Sequence, residues 1–134
     1  MYAKIFTDGG ARGNPGPAGI GVVIEIEGKQ HKYEKFIGHA TNNQAEYQAV
    51  IYALERAKAL GATEVDIFMD SELVESQLNQ KFKIKNEALG PLFVQVWNLS
   101  LGFKKVRYFH LRRHDNKIAD GLVNKAIDEN NKSI

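Results

Sequence analysis

The chain has 134 residues, of which 43% are apolar and 25% charged, and it contains no cysteine. That length suits one domain with a true core, and the lack of cysteine excludes a disulfide framework, a thiolate nucleophile and Cys-ligated zinc. No apolar run approaches the roughly 18 residues of a membrane span, and the N-terminus has no basic-then-apolar leader, so a cytoplasmic protein with no membrane partner is expected.

The net charge of +2 is unevenly spread. Residues 80–113 hold Lys81, Lys83, Lys85, Lys104, Lys105, Arg107, Arg112 and Arg113 against the single acid Glu87, giving +7 there and −5 elsewhere. A basic flank on an otherwise acidic chain fits a polyanion held beside a carboxylate-rich site. It equally fits solvated side chains on a helix end and an edge strand.

In chain order, residues 2–8 (YAKIFTD) read as a strand ending at Asp8, before the glycine- and proline-rich run GGARGNPGPAG. GIGVVIEIEG and KQHKYEKFIG read as two strands joined by a tight turn at Glu27-Gly28. Residues 43–60 have helical periodicity and stop before Gly61, a C-terminal signal. VDIFMD is a short strand, SELVESQLNQ a short helix, residues 86–101 a further helix, KKVRYFHL a strand and DNKIADGLVNKAIDEN a closing helix. Hairpin-ordered strands followed by strands alternating with helices predict an α/β fold with a mixed sheet, an antiparallel meander joined to parallel βαβ units. Residues 1–130 read as a single domain and 131–134 as a polar tail.

Four acids then stand out. Asp8 and Asp70 end strands that precede crossovers, and parallel neighbours would present both at the carboxyl edge where open α/β sheets place their ligands. Glu46 lies one turn before Val50 on the apolar stripe Val50, Ala53, Leu54, Ala57, where an unpaired carboxylate is costly. Asp120 borders the stripe of the last helix, Ala119, Leu122, Val123, Ala126, Ile127. Each has an ordinary explanation: Asp70 as a helix N-cap, Asp8 as a turn former, Glu46 as the third residue of a capping box opened by Asn43. Gathered together, however, four carboxylates cannot all stay ionised without a cation. Oxygen ligands without His or Cys indicate Mg²⁺ or Mn²⁺ rather than zinc.

TDGGARGNPGPAG, TNNQAEYQA, DSELV and HDNKIADGLVNKA, in that order and at these intervals, resemble the four blocks of the type 1 ribonuclease H family, in its branch without a basic handle after the third block. The resemblance spans about residues 1–128 and implies a five-stranded mixed sheet in the order 3-2-1-4-5 with helices on both faces. It implies an endoribonuclease that cuts the RNA strand of RNA–DNA hybrids, leaving 5′-phosphate and 3′-hydroxyl ends, with Asp8, Glu46, Asp70 and Asp120 as catalytic and metal-holding residues. Two Mg²⁺ ions are implied, with Mn²⁺ able to substitute: Asp8 would bridge them, Asp70 and Glu46 would hold the first, and Asp120 would complete the second. His114 would take the place of the family's histidine in turnover, although its loop is short.

Gly9, Gly10, Asn14, Thr41, Asn42, Asn43, Gln44, Ser71 and Asn116 match substrate-contacting positions, and Lys81, Lys83 and Arg113 are expected on the phosphates. Glu72 departs from the family, which often has glutamine there. Amides of Asn14, Asn43 and Gln44 suit the RNA 2′-hydroxyl, which is donor and acceptor at once. The glycines before and after Asn14 are expected to let the minor groove approach Asp8; no Gly-Lys-Ser/Thr follows, so the loop is not a nucleotide P-loop. A non-enzymatic hybrid-binding module and a resolvase or transposase core are the rival readings. The first is disfavoured by the four intact acids, the second by the compact length and the Thr-Asn-Asn-Gln segment. No protein partner is implied, and a monomer is expected.

Overall fold

The computed structural model describes residues 1–80 and 86–131. Its elements are β1 (Tyr2–Ala11), β2 (Gly16–Ile26), β3 (Lys29–Ala40), α1 (Asn42–Ala59), β4 (Glu64–Met69), α2 (Glu72–Leu78), α3 (Gly90–Ser100), β5 (Lys105–His110), a 3₁₀ turn (Arg113–Asn116) and α4 (Lys117–Asn131). The strands form one mixed sheet in the order β3-β2-β1-β4-β5. β1 runs antiparallel to β2 and parallel to β4, which is parallel to β5. Glu27 and Gly28 both take positive φ, 50° and 74°, as the turn between β2 and β3 requires.

Alternation divides the sheet faces. Ala3 and Ile5 of β1, with Val22, Ile24 and Ile26 of β2 and Val65, Ile67 and Met69 of β4, enter the core with Tyr47, Val50, Ala53, Leu54 and Ala57 of α1. The expected α1 stripe is thus the buried one. The opposite side of β1 and β2 receives α4, whose Ala119, Val123, Ala126 and Ile127 are buried.

Several expectations need correcting. Asp8 does not end its strand: pairing with β4 stops at Thr7↔Met69, but β1 stays paired with β2 through Gly9↔Ile20, Gly10↔Gly19 and Ala11↔Ala18. Of the glycines that looked like a loop, Gly9, Gly10, Gly16 and Gly19 lie in strands and Gly13 in the connection between β1 and β2; helices pack closely on Gly9 and Gly19. A Cβ at Gly9 would come within 2.3 Å of the Ala45 carbonyl of α1, and one at Gly21 within 2.2 Å of the Ala119 oxygen of α4. Gly9, Gly19 and Gly21 therefore serve helix–sheet contact. The third helix starts at Gly90, not at residue 86, with Pro91 in its first turn, where a missing N–H costs nothing. The last helix begins at Lys117, its predicted first turn being the 3₁₀ turn.

Candidate active site

The ordinary explanations for three of the acids fail on geometry. Thr41, not Asn43, caps α1: its hydroxyl accepts from the Gln44 amide and the Gln44 side chain accepts from the Thr41 amide. Glu46 therefore lies beyond the cap. Asp70 is not a cap either, because Ser71 Oγ accepts from Val74 N at the start of α2. Asp8 sits within a strand and forms no turn.

What remains is convergence. One carboxylate oxygen each from Asp8, Glu46 and Asp70 lies within 4.8 Å of the other two, and Asp8 and Glu46 are each only 6% exposed. The Gly9 amide donates to Asp8 Oδ1 (3.0 Å) and to Glu46 Oε1 (2.9 Å). Asp120 stands just outside this group but close enough to act on Asp8, and it lines the same cleft of about 300 Å³.

Burial pushes the Asp8 carboxyl up to about 7, with the charges of Asp70 and Asp120 adding to the rise against a hydrogen bond from Glu46 that opposes it. Glu46 is raised well above the ordinary range, first by burial and then by Asp8. Without a cation, two crowded carboxylates share a proton instead of both carrying charge. This donor set, anionic oxygens only, fits a hard divalent cation such as Mg²⁺ or Mn²⁺.

The other expected residues divide. Gly10, Asn42, Asn43, Ser71 and Arg113 line the cleft, and Arg113 Nη2 is 3.6 Å from Asp120 Oδ1. Asn14 is tied to its rim, its Oδ1 accepting from the Asn42 amide, while Asn42 Oδ1 accepts from the Ala11 amide. Thr41 and Gln44 are engaged in the cap. Two of the expected residues do not line the cleft. His114 is drawn away to Asp115, 3.2 Å from its Nε2, and borders a different, apolar cavity. Asn116, expected to touch substrate, is 2% exposed and donates inward instead, to Thr7 O and Asp70 Oδ2. Lys81 and Lys83 lie outside the described residues.

A family model described as reverse transcriptase-like matches residues 6–126. The crystal structure of RNase H1 from the archaeon Halobacterium salinarum superposes with a TM-score of 0.92 at 38% identity, covering 96% of this chain and 99% of that one. The chain belongs to the ribonuclease H family. LC11-RNase H1, solved in complex with an RNA/DNA hybrid, gives a TM-score of 0.90 at 43% identity, covering 95% of this chain and 97% of that one. The bifunctional protein Rv2228c of Mycobacterium tuberculosis is 42% identical over 131 residues, 96% of this chain and 36% of the relative. The chain therefore spans about a third of the length of that relative.

In this ribonuclease H chain, sequence reading missed Arg12 and Asn124. Both line the cleft, and the Arg12 guanidinium bonds Asp128 and Asn124 Oδ1 on α4, tying the first loop to the helix that carries Asp120. The available signal was spacing: Asp120, Asn124 and Asp128 recur every four residues on one helix face.

Proposed function

We propose that this chain is a divalent-metal-dependent endoribonuclease that hydrolyses the RNA strand of RNA–DNA hybrids, leaving 5′-phosphate and 3′-hydroxyl ends. The observation that carries the reading is the convergence of Asp8, Glu46 and Asp70 oxygens within 4.8 Å of one another. The solved hybrid complex of the similar LC11-RNase H1 supports the substrate.

Asp8, Glu46, Asp70 and Asp120 would hold the cations, and an amide at any of these places supplies too little charge. When bound, a pair of Mg²⁺ ions provides a water of lowered pKa and positive charge for the departing 3′ oxygen. Gly9 N fixes the Asp8 and Glu46 oxygens that face each other, so the ligands are arranged before any ion arrives. Arg113 partly offsets the charge of Asp120 and offers a guanidinium to a backbone phosphate.

Substrate selection rests on side-chain amides. Asn14 and Asn42 must turn their oxygens toward backbone N–H groups, and Gln44 does the same at Thr41. Their NH₂ ends therefore remain as donors, suited to 2′-hydroxyl and phosphate oxygens and indifferent to base sequence. A cytoplasmic monomer completes the reading.

The test is cleavage of an end-labelled hybrid in Mg²⁺, with Asp70→Asn as control. The wild-type chain should cut the RNA strand only, and Asp70→Asn should bind without cutting. If both bind and neither cuts, the chain is a binding module. Faster cleavage of a four-way junction or duplex DNA in the same assay would make it a different nuclease of this fold.

A further inference from the structure

We propose that Asn116 is a positioning residue: its buried amide holds Asp70 against the strand that carries Asp8 and so prepares the site for divalent cations. The inference rests on the metal-dependent nuclease reading and names a residue that serves it without touching substrate.

Asn116 Nδ2 donates to the Thr7 carbonyl at 2.9 Å and to Asp70 Oδ2 at 3.2 Å. The first acceptor belongs to the residue just before Asp8. The ladder between β1 and β4 ends at Thr7↔Met69, where the chain after β4 leaves for α2. Asn116 takes the Thr7 carbonyl where that ladder stops and carries the connection on to Asp70. Asn116 itself closes the 3₁₀ turn that leads into α4, four residues before Asp120. One side chain thus links the three segments that bear Asp8, Asp70 and Asp120.

The other end of the amide argues that these donors are the reason for an asparagine. With Nδ2 facing both acceptors, Oδ1 points the opposite way, and it is buried without a hydrogen-bond partner among the described residues. An unsatisfied buried acceptor costs stability, which a leucine of similar size would avoid. What leucine cannot supply is two N–H donors. Donation to a carboxylate ligand fixes which oxygen faces the ion, as partners behind metal ligands generally do.

The experiment compares the wild-type chain with Asn116→Ala and Asn116→Leu, each stripped of metal. Mg²⁺ and Mn²⁺ affinities are measured by calorimetry without substrate, and kcat and KM on a labelled hybrid. Both variants should bind the ions about 10–100-fold more weakly and lose kcat with KM unchanged. The thermal midpoint of metal-free Asn116→Leu should match the wild type, while its rise on adding Mg²⁺ shrinks.

Wild-type ion affinity in both variants would overturn the inference and leave the nuclease reading standing. A raised KM with kcat kept would make Asn116 a substrate contact, and loss of fold in both variants would make it structural only; either overturns the proposal. A wild-type chain that neither binds the ions nor cuts hybrid would bring down the nuclease reading and this inference with it.

Discussion

Gly9 lies against Ala45 so closely that a Cβ added to it would meet the Ala45 carbonyl carbon and oxygen at 2.3 Å and the Glu46 nitrogen at 2.6 Å. Backbone cannot retreat from such a clash without moving α1 off β1. The same approach brings Glu46 within 2.9 Å of the Gly9 amide and hence beside Asp8. Gly9→Ala should therefore cost more than the roughly 1–3 kcal/mol typical of overpacking and should abolish Mg²⁺ binding. Urea unfolding and calorimetry measure the two effects, and an alanine variant of wild-type stability would show that α1 shifts freely.

The shared proton gives the metal-free protein an unusual pH dependence. Asp8, ordinarily at 3.8, is pushed up to about 7 by burial and then by Asp70 and Asp120, and Glu46 rises for similar causes. The native state therefore binds protons that the unfolded chain has released, so metal-free stability falls as pH rises from about 4 to about 7. The loss is on the order of a few kcal/mol. Saturating Mg²⁺ displaces those protons and removes the slope, and Mg²⁺ affinity rises with pH across the same window. Urea unfolding from pH 4 to 8, relative to Asp8→Asn, reads this directly; a wild type that gains stability against that variant through the window contradicts it.

Thr41 illustrates a residue with two possible duties. Its hydroxyl accepts from Gln44 N at 3.1 Å, which satisfies one of the orphan amides of α1. Thr41→Ala should cost about 1 kcal/mol of stability, measured by chemical unfolding. The hydroxyl proton is still available to a phosphate, so KM for hybrid should rise as well, whereas Thr41→Ser preserves both. A KM unchanged in Thr41→Ala would confine the residue to capping.

How much of this was legible depends on what local sequence can encode. The α1 stripe, the turn at Glu27-Gly28 and the sheet's mixed topology follow from periodicity and turn chemistry, which are short-range. The strand character of Gly9 and Gly10 was not legible. Glycine has low intrinsic strand preference, and only the approach of Ala45 to the sheet explains why Gly9 carries no side chain. The capping register slipped because Asn43 and Thr41 are both competent caps; Gln44 decides between them by bonding back to Thr41 N at 2.8 Å. Asn116 was visible as an asparagine before Asp120, but its role depends on Thr7, 109 residues away in sequence. The link from Arg12 to Asp128, 116 residues apart, was hidden for the same reason.

The 3₁₀ turn separates two neighbouring basic residues that sequence alone could not. Arg113 turns toward Asp120, its Nη2 at 3.6 Å, and lines the carboxylate cleft, whereas His114 pairs with Asp115 and borders the cavity beside Phe6 and Ile118. Both side chains are well exposed, so neither contact contributes much to stability. Their difference should appear in substrate handling. Arg113→Ala should weaken hybrid binding at every sequence and lower the slope of log affinity against log salt by about 1, the signature of one lost phosphate contact. His114→Ala should leave that slope, kcat and the pH profile as in the wild type. Filter binding across a salt series, with steady-state cleavage alongside, measures both variants. If His114→Ala lost turnover while Arg113→Ala kept its salt slope, the placement of the two side chains in this turn would have to be exchanged.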